Sequence, residues 1–153
     1  MWQTLANSQS ELGESPFWHP VERSLYWLDI PGRAVLRTRG ELAGGTVERW
    51  PLPTEPGCMA PARSGGLVIA LRDGIYRARE WGGALQPMAR VAHDVRTMRF
   101  NDGKCDPLGR LWAGTINEAK DAASARLYCL DARSGREPRL EVKAGGATTA
   151  NGL

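Results

Sequence analysis

Three short stretches of similar sequence decide the fold: SLYWLDI (residues 24–30), GLVIAL (66–71) and RLWAGT (110–115). Each is rich in aliphatic and aromatic side chains and is bounded by Gly, Pro or Asp turns, which is typical of a β-strand. They begin 42 and 44 residues apart, within the range of about 40 to 50 residues expected for the blades of a β-propeller. The spacing therefore predicts an all-β chain that repeats one unit.

The same neighbours surround each of these strands. A turn precedes it, at HPVE (19–22), RSG (63–65) and DPLG (106–109), where proline presets one φ angle and glycine relaxes another. One candidate strand follows at 34–39, 74–80 and 126–131, and a more polar one comes next at 46–52, 85–91 and 139–144. Together with the strand that enters each hairpin turn, these make four strands per unit, which is the make-up of a propeller blade with its innermost strand at the central channel. An all-β sandwich with evenly spaced strands is the alternative.

The repeat predicts three blades, at residues 14–53, 54–95 and 96–145. Residues 1–13 are expected to belong to a closing blade and residues 146–153 to begin a fourth. Closed propellers typically have four to eight blades, so an incomplete ring is expected. Its open strand edges favour self-association, for example of two copies about a two-fold axis.

Composition narrows the function classes. The chain has 153 residues and 42% hydrophobic content, enough for one domain with a core. Its net charge is only +3 and its basic residues are scattered along the sequence, which argues against a nucleic-acid partner. No stretch approaches the roughly 18 consecutive apolar residues of a membrane span, and the start lacks the features of a signal peptide, so no membrane partner and a cytoplasmic location are expected.

Several reactive residue types are present without a recognisable catalytic pattern. Cys58, Cys105 and Cys129 are an odd number without C-x-x-C spacing, which predicts neither a disulfide framework nor a zinc site. No G-x-S-x-G elbow occurs, which argues against a serine esterase. His19 and His93 are expected to be structural or solvent-facing.

Three segments at the same phase of the repeat carry the candidate chemistry: GESP (13–16), RFNDGK (99–104) and TANGL (149–153). Each lies just ahead of or within a predicted inner strand, so side chains distant in sequence are expected to face one mouth of the channel. Their carboxylate and amide oxygens suit a hard divalent cation such as calcium, or manganese. Taken singly, each segment is typical of an ordinary solvated loop or turn.

These segments also carry a family resemblance. ESP (14–16) with Trp18 and LYWLDI (25–30), then RFNDGKCDP (99–107) with GRLWAGT (109–115), and finally NGL (151–153) resemble successive signature blocks of the SMP-30/gluconolactonase family. That family includes regucalcin and bacterial sugar-acid lactonases. The resemblance covers the whole chain in family order, and its middle block is the most specific.

The resemblance implies a six-bladed propeller that hydrolyses a sugar lactone, from aldonolactone to aldonic acid, with one divalent metal near the channel mouth. Calcium is the favoured metal, with zinc, manganese and iron as alternatives. Glu14 and Asn151 match the family's metal ligands, whereas Arg99, Asn101 and Glu118 match substrate-binding positions. The family's aspartate, which serves as third metal ligand and general base, is expected beyond residue 153.

Two other readings stay open. In the first, the chain is a propeller that binds ligands or partners without turnover. In the second, it is a truncated or split product that is inactive alone. Because the general-base aspartate is not among residues 1–153, we expect little or no lactonase activity from the isolated chain.

Overall fold

The structure, a computed structural model, describes residues 9–39, 45–135 and 137–153. Within these ranges all regular structure is β: twelve strands in three antiparallel sheets of four consecutive strands each. The first sheet contains β1 (Gly13–His19), β2 (Ser24–Asp29), β3 (Ala34–Arg39) and β4 (Thr46–Pro51). The second contains β5 (Pro56–Pro61), β6 (Leu67–Leu71), β7 (Gly74–Ala78) and β8 (Gln86–Arg90). The third contains β9 (Met98–Cys105), β10 (Leu111–Asn117), β11 (Ala125–Asp131) and β12 (Arg139–Ala147).

The all-β prediction is confirmed, and the repeat maps directly onto the sheets. The three deciding stretches form β2, β6 and β10, the second strand of each sheet. Three separate sheets differ from the two facing sheets of a sandwich. Strand ends differ slightly from the prediction: β7 stops at Ala78 instead of residue 80, and β12 continues to Ala147 instead of ending at residue 144.

Turn chemistry explains why each hairpin closes where it does. At the β9–β10 turn, Asp106 accepts hydrogen bonds from the backbone amides of Leu108 and Arg110 through Oδ1 (3.0 and 2.9 Å). Gly109 then adopts a left-handed φ of 83°, which glycine reaches without steric cost. The β5–β6 turn uses Gly65 (φ 83°) in the same place. The turn sequences of the second and third units therefore fix where β6 and β10 begin.

The first strands of the three sheets contact one another, with β5 packed against both β1 and β9. A side chain at Gly57 would overlap the backbone of Phe100 and Asn101, and one at Gly103 would overlap Cys58. Glycine at these two positions lets the inner strands approach closely, so residues of β1 and β9 share one region of space.

Two apolar cores lie between successive sheets. Leu28, Met59 and Ile69 belong to the core between the first and second sheets, and Ile75 and Phe100 to the core between the second and third. Both are built from inward-facing strand residues, so burial of apolar surface is what orients the sheets.

Cys58 and Cys129 are buried, Cys105 is exposed, and all three are free. Burial raises the pKa of the Cys58 thiol well above its ordinary value. In the part of the chain that the structure describes, no helix long and apolar enough to cross a bilayer occurs.

Candidate functional site

Glu14 is presented by an irregularity in β1. It pairs with Leu28 of β2, but the register shifts before Phe17, which pairs with Tyr26. Ser15 lies within this bulge at φ 53°, a conformation that a non-glycine residue adopts only when its surroundings enforce it. Here the Ser15 hydroxyl accepts a hydrogen bond from the Met59 amide (3.3 Å), which ties the bulge to β5.

The Glu14 side chain borders a cleft of about 370 Å³ lined by the inner strands. Asp102 and Lys104 of β9 and Leu153 line the same cleft. Glu14 is exposed, and its carboxylate has no hydrogen-bond or ion-pair partner among the described residues. A carboxylate in a cleft without a partner is available to a cation or to a hydrogen-bond donor.

The C-terminal segment (residues 149–153) is hydrogen-bonded to β9 at this cleft. The side-chain nitrogen of Asn101 (Nδ2) donates to the carbonyl of Ala150 (3.2 Å). Asp102 Oδ2 accepts the backbone amides of Gly152 and Leu153 (2.8 and 2.9 Å). Asn151 therefore lies between two anchored neighbours, and its own Oδ1 contacts only the adjacent Gly152 amide (3.1 Å) among the described residues.

Arg99 and Glu118 form an ion pair on the same part of the third sheet. Arg99 Nε lies 3.3 Å from Glu118 Oε1, and its Nη1 donates to Asn101 Oδ1 (3.3 Å) and to the Phe100 carbonyl (2.9 Å). The Arg99 side chain is only 12% exposed. Burial lowers its pKa from the ordinary arginine value, although Glu118 opposes this shift.

Arg72 extends this pair into a network that reaches the second sheet. It donates to both carboxylate oxygens of Glu118 (2.8 and 3.0 Å) and to Glu55 (2.9 Å). Arg33 also pairs with Glu55 (3.3 Å). The hydrogen bond from Arg72 lowers the pKa of Glu118, while burial and the Glu55 carboxylate act in the opposite direction. The pKa of Glu55 is lowered too: burial would raise it, but hydrogen bonds from the backbone and from Arg72 outweigh that effect.

The predicted residues fall into two linked groups. Arg99, Asn101 and Glu118 are joined by direct contacts. Glu14 and Asn151 are related less directly: Asp102 lines the cleft beside Glu14 and holds the amide of Gly152, next to Asn151. Within the described ranges, no group of three or more His, Cys, Asp or Glu side chains is placed to hold a metal ion.

Three residues of the site went unassigned by sequence reasoning: Glu55, Arg72 and Asp102. The position of Glu55 in the repeat could have indicated its role: it lies 11 residues before the repeat start at residue 66, just as Arg99 lies 11 residues before the repeat start at residue 110. Arg72 had none, since its role depends on a partner 46 residues away. Both histidines make hydrogen bonds to the backbone: His19 accepts the Glu22 amide (3.1 Å) and His93 hydrogen-bonds the Arg72 carbonyl (2.8 Å).

Comparison with known protein families identifies the chain. Residues 12–153 match the model of the SMP-30/Gluconolactonase/LRE-like region. The chain belongs to this family. The family relationship that the signature blocks suggested is therefore confirmed.

Two relatives and two solved structures illustrate the relationship. The chain is 38% identical over 144 residues to a 6-deoxy-6-sulfogluconolactonase of Pseudomonas putida, covering 94% of this chain and 47% of that protein. It is 38% identical over 117 residues to regucalcin of Gallus gallus, covering 76% and 38%. A regucalcin of Agrobacterium tumefaciens, described as a calcium-binding protein, superposes with a TM-score of 0.79 at 24% identity, covering 93% of this chain and 46% of that one. A gluconolactonase of Xanthomonas campestris gives a TM-score of 0.68 at 22% identity, covering 90% and 48%.

At these identities the solved structures show a shared fold. The chain spans about half or less of the length of each of these four proteins.

Proposed function

We propose that this chain contributes part of the active site of a metal-dependent sugar lactonase, which converts an aldonolactone to an aldonic acid. In this proposal the three sheets are blades of a six-bladed propeller, with blades at residues 14–53, 54–95 and 96–145. Family membership supports it, as do relatives named as lactonases in Pseudomonas putida and Bacillus subtilis.

One observation carries the proposal: the Glu14 carboxylate, without a partner among the described residues, borders the cleft to which β9 anchors the C-terminal segment. Buried and half-buried carboxylates elsewhere in this fold, such as Asp29 and Glu48, are paired with arginine. Glu14 is exposed and does not require a partner, but its place beside Asp102 and Leu153 distinguishes it from an ordinary loop residue.

The donor atoms around this cleft fit a hard divalent cation. Glu14 and Asn151 would hold it with oxygen atoms, and Asn101, whose side-chain nitrogen donates to the Ala150 carbonyl next to Asn151, would lie close to it. Calcium or manganese suits such ligands best, with zinc and iron as alternatives. When bound, a divalent ion supplies Lewis-acid polarisation of a carbonyl oxygen.

The chain's own residues would orient the sugar. Arg99 is held rigidly by Glu118 and presents a guanidinium group, which can only donate hydrogen bonds. Glu118, clamped by Arg72, stays ionised and can only accept them from hydroxyl groups. Its lowered pKa makes Glu118 unsuitable as a general acid near neutral pH. The general base is proposed to be an aspartate beyond residue 153.

Acid release from glucono-δ-lactone and from a pentonolactone tests the function, measured with added calcium or manganese and again with a chelator. For residues 1–153 alone we expect little or no turnover, because the proposed general base would lie beyond them. Robust, chelator-sensitive turnover would contradict that expectation while supporting a lactonase.

Metal binding, measured by calorimetry on the same protein, separates a lactonase half from a propeller that only binds partners. We expect weak binding that Glu14→Ala abolishes and that Glu11→Ala leaves unchanged, since Glu11 is an exposed carboxylate three residues away. Binding that Glu14→Ala does not alter would refute the proposed metal site.

A further inference from the structure

A second cleft, of about 660 Å³, lies between the second and third sheets, where β5 turns into β6 and β9 into β10. It meets the Glu14 cleft only at Ala60, Pro61 and Cys105. Its volume is within the range of about 300–1,000 Å³ that is usual for small-molecule sites. Nothing in the proposed lactonase reaction uses it.

The lining of this cleft is apolar at its base. Val68, Met88, Leu111 and Leu130 contribute aliphatic surface, and Leu108 on the β9–β10 turn is 57% exposed at its edge. Apolar surface of this kind favours a ligand with a hydrocarbon or aromatic body.

The rim, in contrast, is strongly basic. Arg63, Arg77 and Arg79 line it without an ion-pair partner among the described residues. The other charged groups there are neutralised: Arg133 by Asp131 (2.6 Å), and Asp106 by Arg110 (2.6 Å). Arg77 is held in place by hydrogen bonds to the Leu67 carbonyl (3.3 Å), the Ser64 hydroxyl (3.2 Å) and the carbonyls of Gly65 and Ala78.

The first sheet provides an internal comparison. Arg37 is the fourth residue of β3, as Arg77 is the fourth of β7. Arg37 lies opposite Glu48 of β4, which binds both Arg37 (2.7 Å) and Arg39 (3.3 Å). In the second sheet the residue opposite Arg77 is Gln86. The repeat therefore keeps both arginines but replaces Glu48, the carboxylate that both of them bind in the first sheet, with an uncharged amide. In the first sheet Arg37 also pairs with Glu22 (3.3 Å).

Arg77 is half-buried and Arg79 is exposed. A partly buried positive charge without a carboxylate partner costs free energy, even when neutral acceptors hold its guanidinium group. Burial, together with the charge of Arg79, lowers the pKa of Arg77 from its ordinary value. An anion placed between them would relieve both effects, and the planar guanidinium group is suited to bidentate contact with phosphate or carboxylate oxygens.

We infer that the cleft between the second and third sheets binds a small organic anion, whose phosphate or carboxylate head group contacts Arg77 and Arg79 and whose apolar body lies against Val68 and Leu130. The site is independent of the lactonase proposal, because it uses other residues and needs no metal.

Calorimetric titration of the full chain with hexyl phosphate tests the inference, with inorganic phosphate and hexanol as the two half-ligands. We expect hexyl phosphate to bind at one site and each half-ligand to bind at least about tenfold more weakly, because charge and apolar contact both contribute. The decisive variant is Gln86→Glu, which restores the carboxylate found in the first sheet. It is expected to weaken hexyl phosphate binding by about tenfold or more.

Arg79→Gln should weaken binding similarly, whereas Arg90→Gln, an exposed arginine paired with Asp73 at the other end of the sheet, should not. Because Gln86 is exposed, Gln86→Glu should fold normally, which an unfolding curve will verify. Hexyl phosphate affinity that is unchanged in Gln86→Glu, or equal to that of hexanol, would overturn the inference, as would the absence of binding.

Discussion

Arg72 illustrates how much of this site depends on a single side chain. Besides its two carboxylate partners, it donates to the carbonyls of Val95 (3.0 Å), just before β9, and Met98 (3.3 Å), the first residue of β9. Its side chain is 17% exposed. Arg72 therefore joins the β6–β7 turn of the second sheet to the strand that carries Arg99 and Asn101, and it fixes the orientation of Glu118.

Replacing Arg72 with leucine removes these hydrogen bonds and leaves Glu55 and Glu118 with weaker compensation. We expect the free energy of unfolding to fall by about 1.5–3 kcal/mol, the range for hydrogen bonds to charged groups. Urea denaturation measures this. The control is Arg96→Gln, which removes an exposed pair with Asp94 and should change stability by less than about 0.5 kcal/mol. Equal losses in the two variants would show that Arg72 has no special structural role.

The same network predicts a pH dependence. The folded-state pKa of Glu118 lies below its ordinary value of 4.5, so its contribution to stability is complete above that value and is lost as the pH falls through the folded-state pKa. The destabilisation by Arg72→Leu should therefore be largest near neutral pH and shrink at about pH 3. Unfolding curves at the two pH values check this, and an undiminished difference at low pH would contradict it.

At the scale of strands, close contact between β5 and β9 positions the site. Gly57→Ala places a methyl group against the backbone of Phe100 and Asn101, and these backbone atoms cannot move aside as the end of a flexible side chain could. We expect a loss of about 1–3 kcal/mol, as for other overpacked cores, together with chemical-shift changes at Asn101. Gly145→Ala in β12 is the matched control, since its nearest neighbour atom is 3.6 Å away. It should change stability by less than about 0.5 kcal/mol, and a comparable loss in both variants would contradict the packing account.

Sequence reasoning reached the strands because local signals specify them. Alternating apolar residues and turn sequences such as DPLG (106–109) lie within a few positions of the structure they form. It also predicted that Arg99 and Asn101 lie close together, because both are on the same short strand. It did not reach Arg72, whose contacts with Glu55 and Glu118 depend on how separate sheets pack. The bulge that presents Glu14 was likewise beyond it, since the bulge depends on pairing with β2 and β5.

At the scale of the whole molecule, the repeat accounts for both clefts. The inner strands bring Glu14, Asp102 and the C-terminal segment to one cleft, while the gap between the second and third sheets forms the other. Each arises because similar units are arranged side by side with different side chains at equivalent positions, as Glu48 and Gln86 show.

We propose that Glu14, Asn101 and Asn151 share one divalent cation. Titration of the ¹⁵N-labelled chain with substoichiometric manganese tests it most directly, because the paramagnetic ion broadens only the resonances of nearby nuclei. We predict selective broadening at residues 14, 101 and 151, lost in Glu14→Gln and retained in Glu11→Gln. Broadening centred on other carboxylates, or a pattern that Glu14→Gln leaves unchanged, would contradict the account.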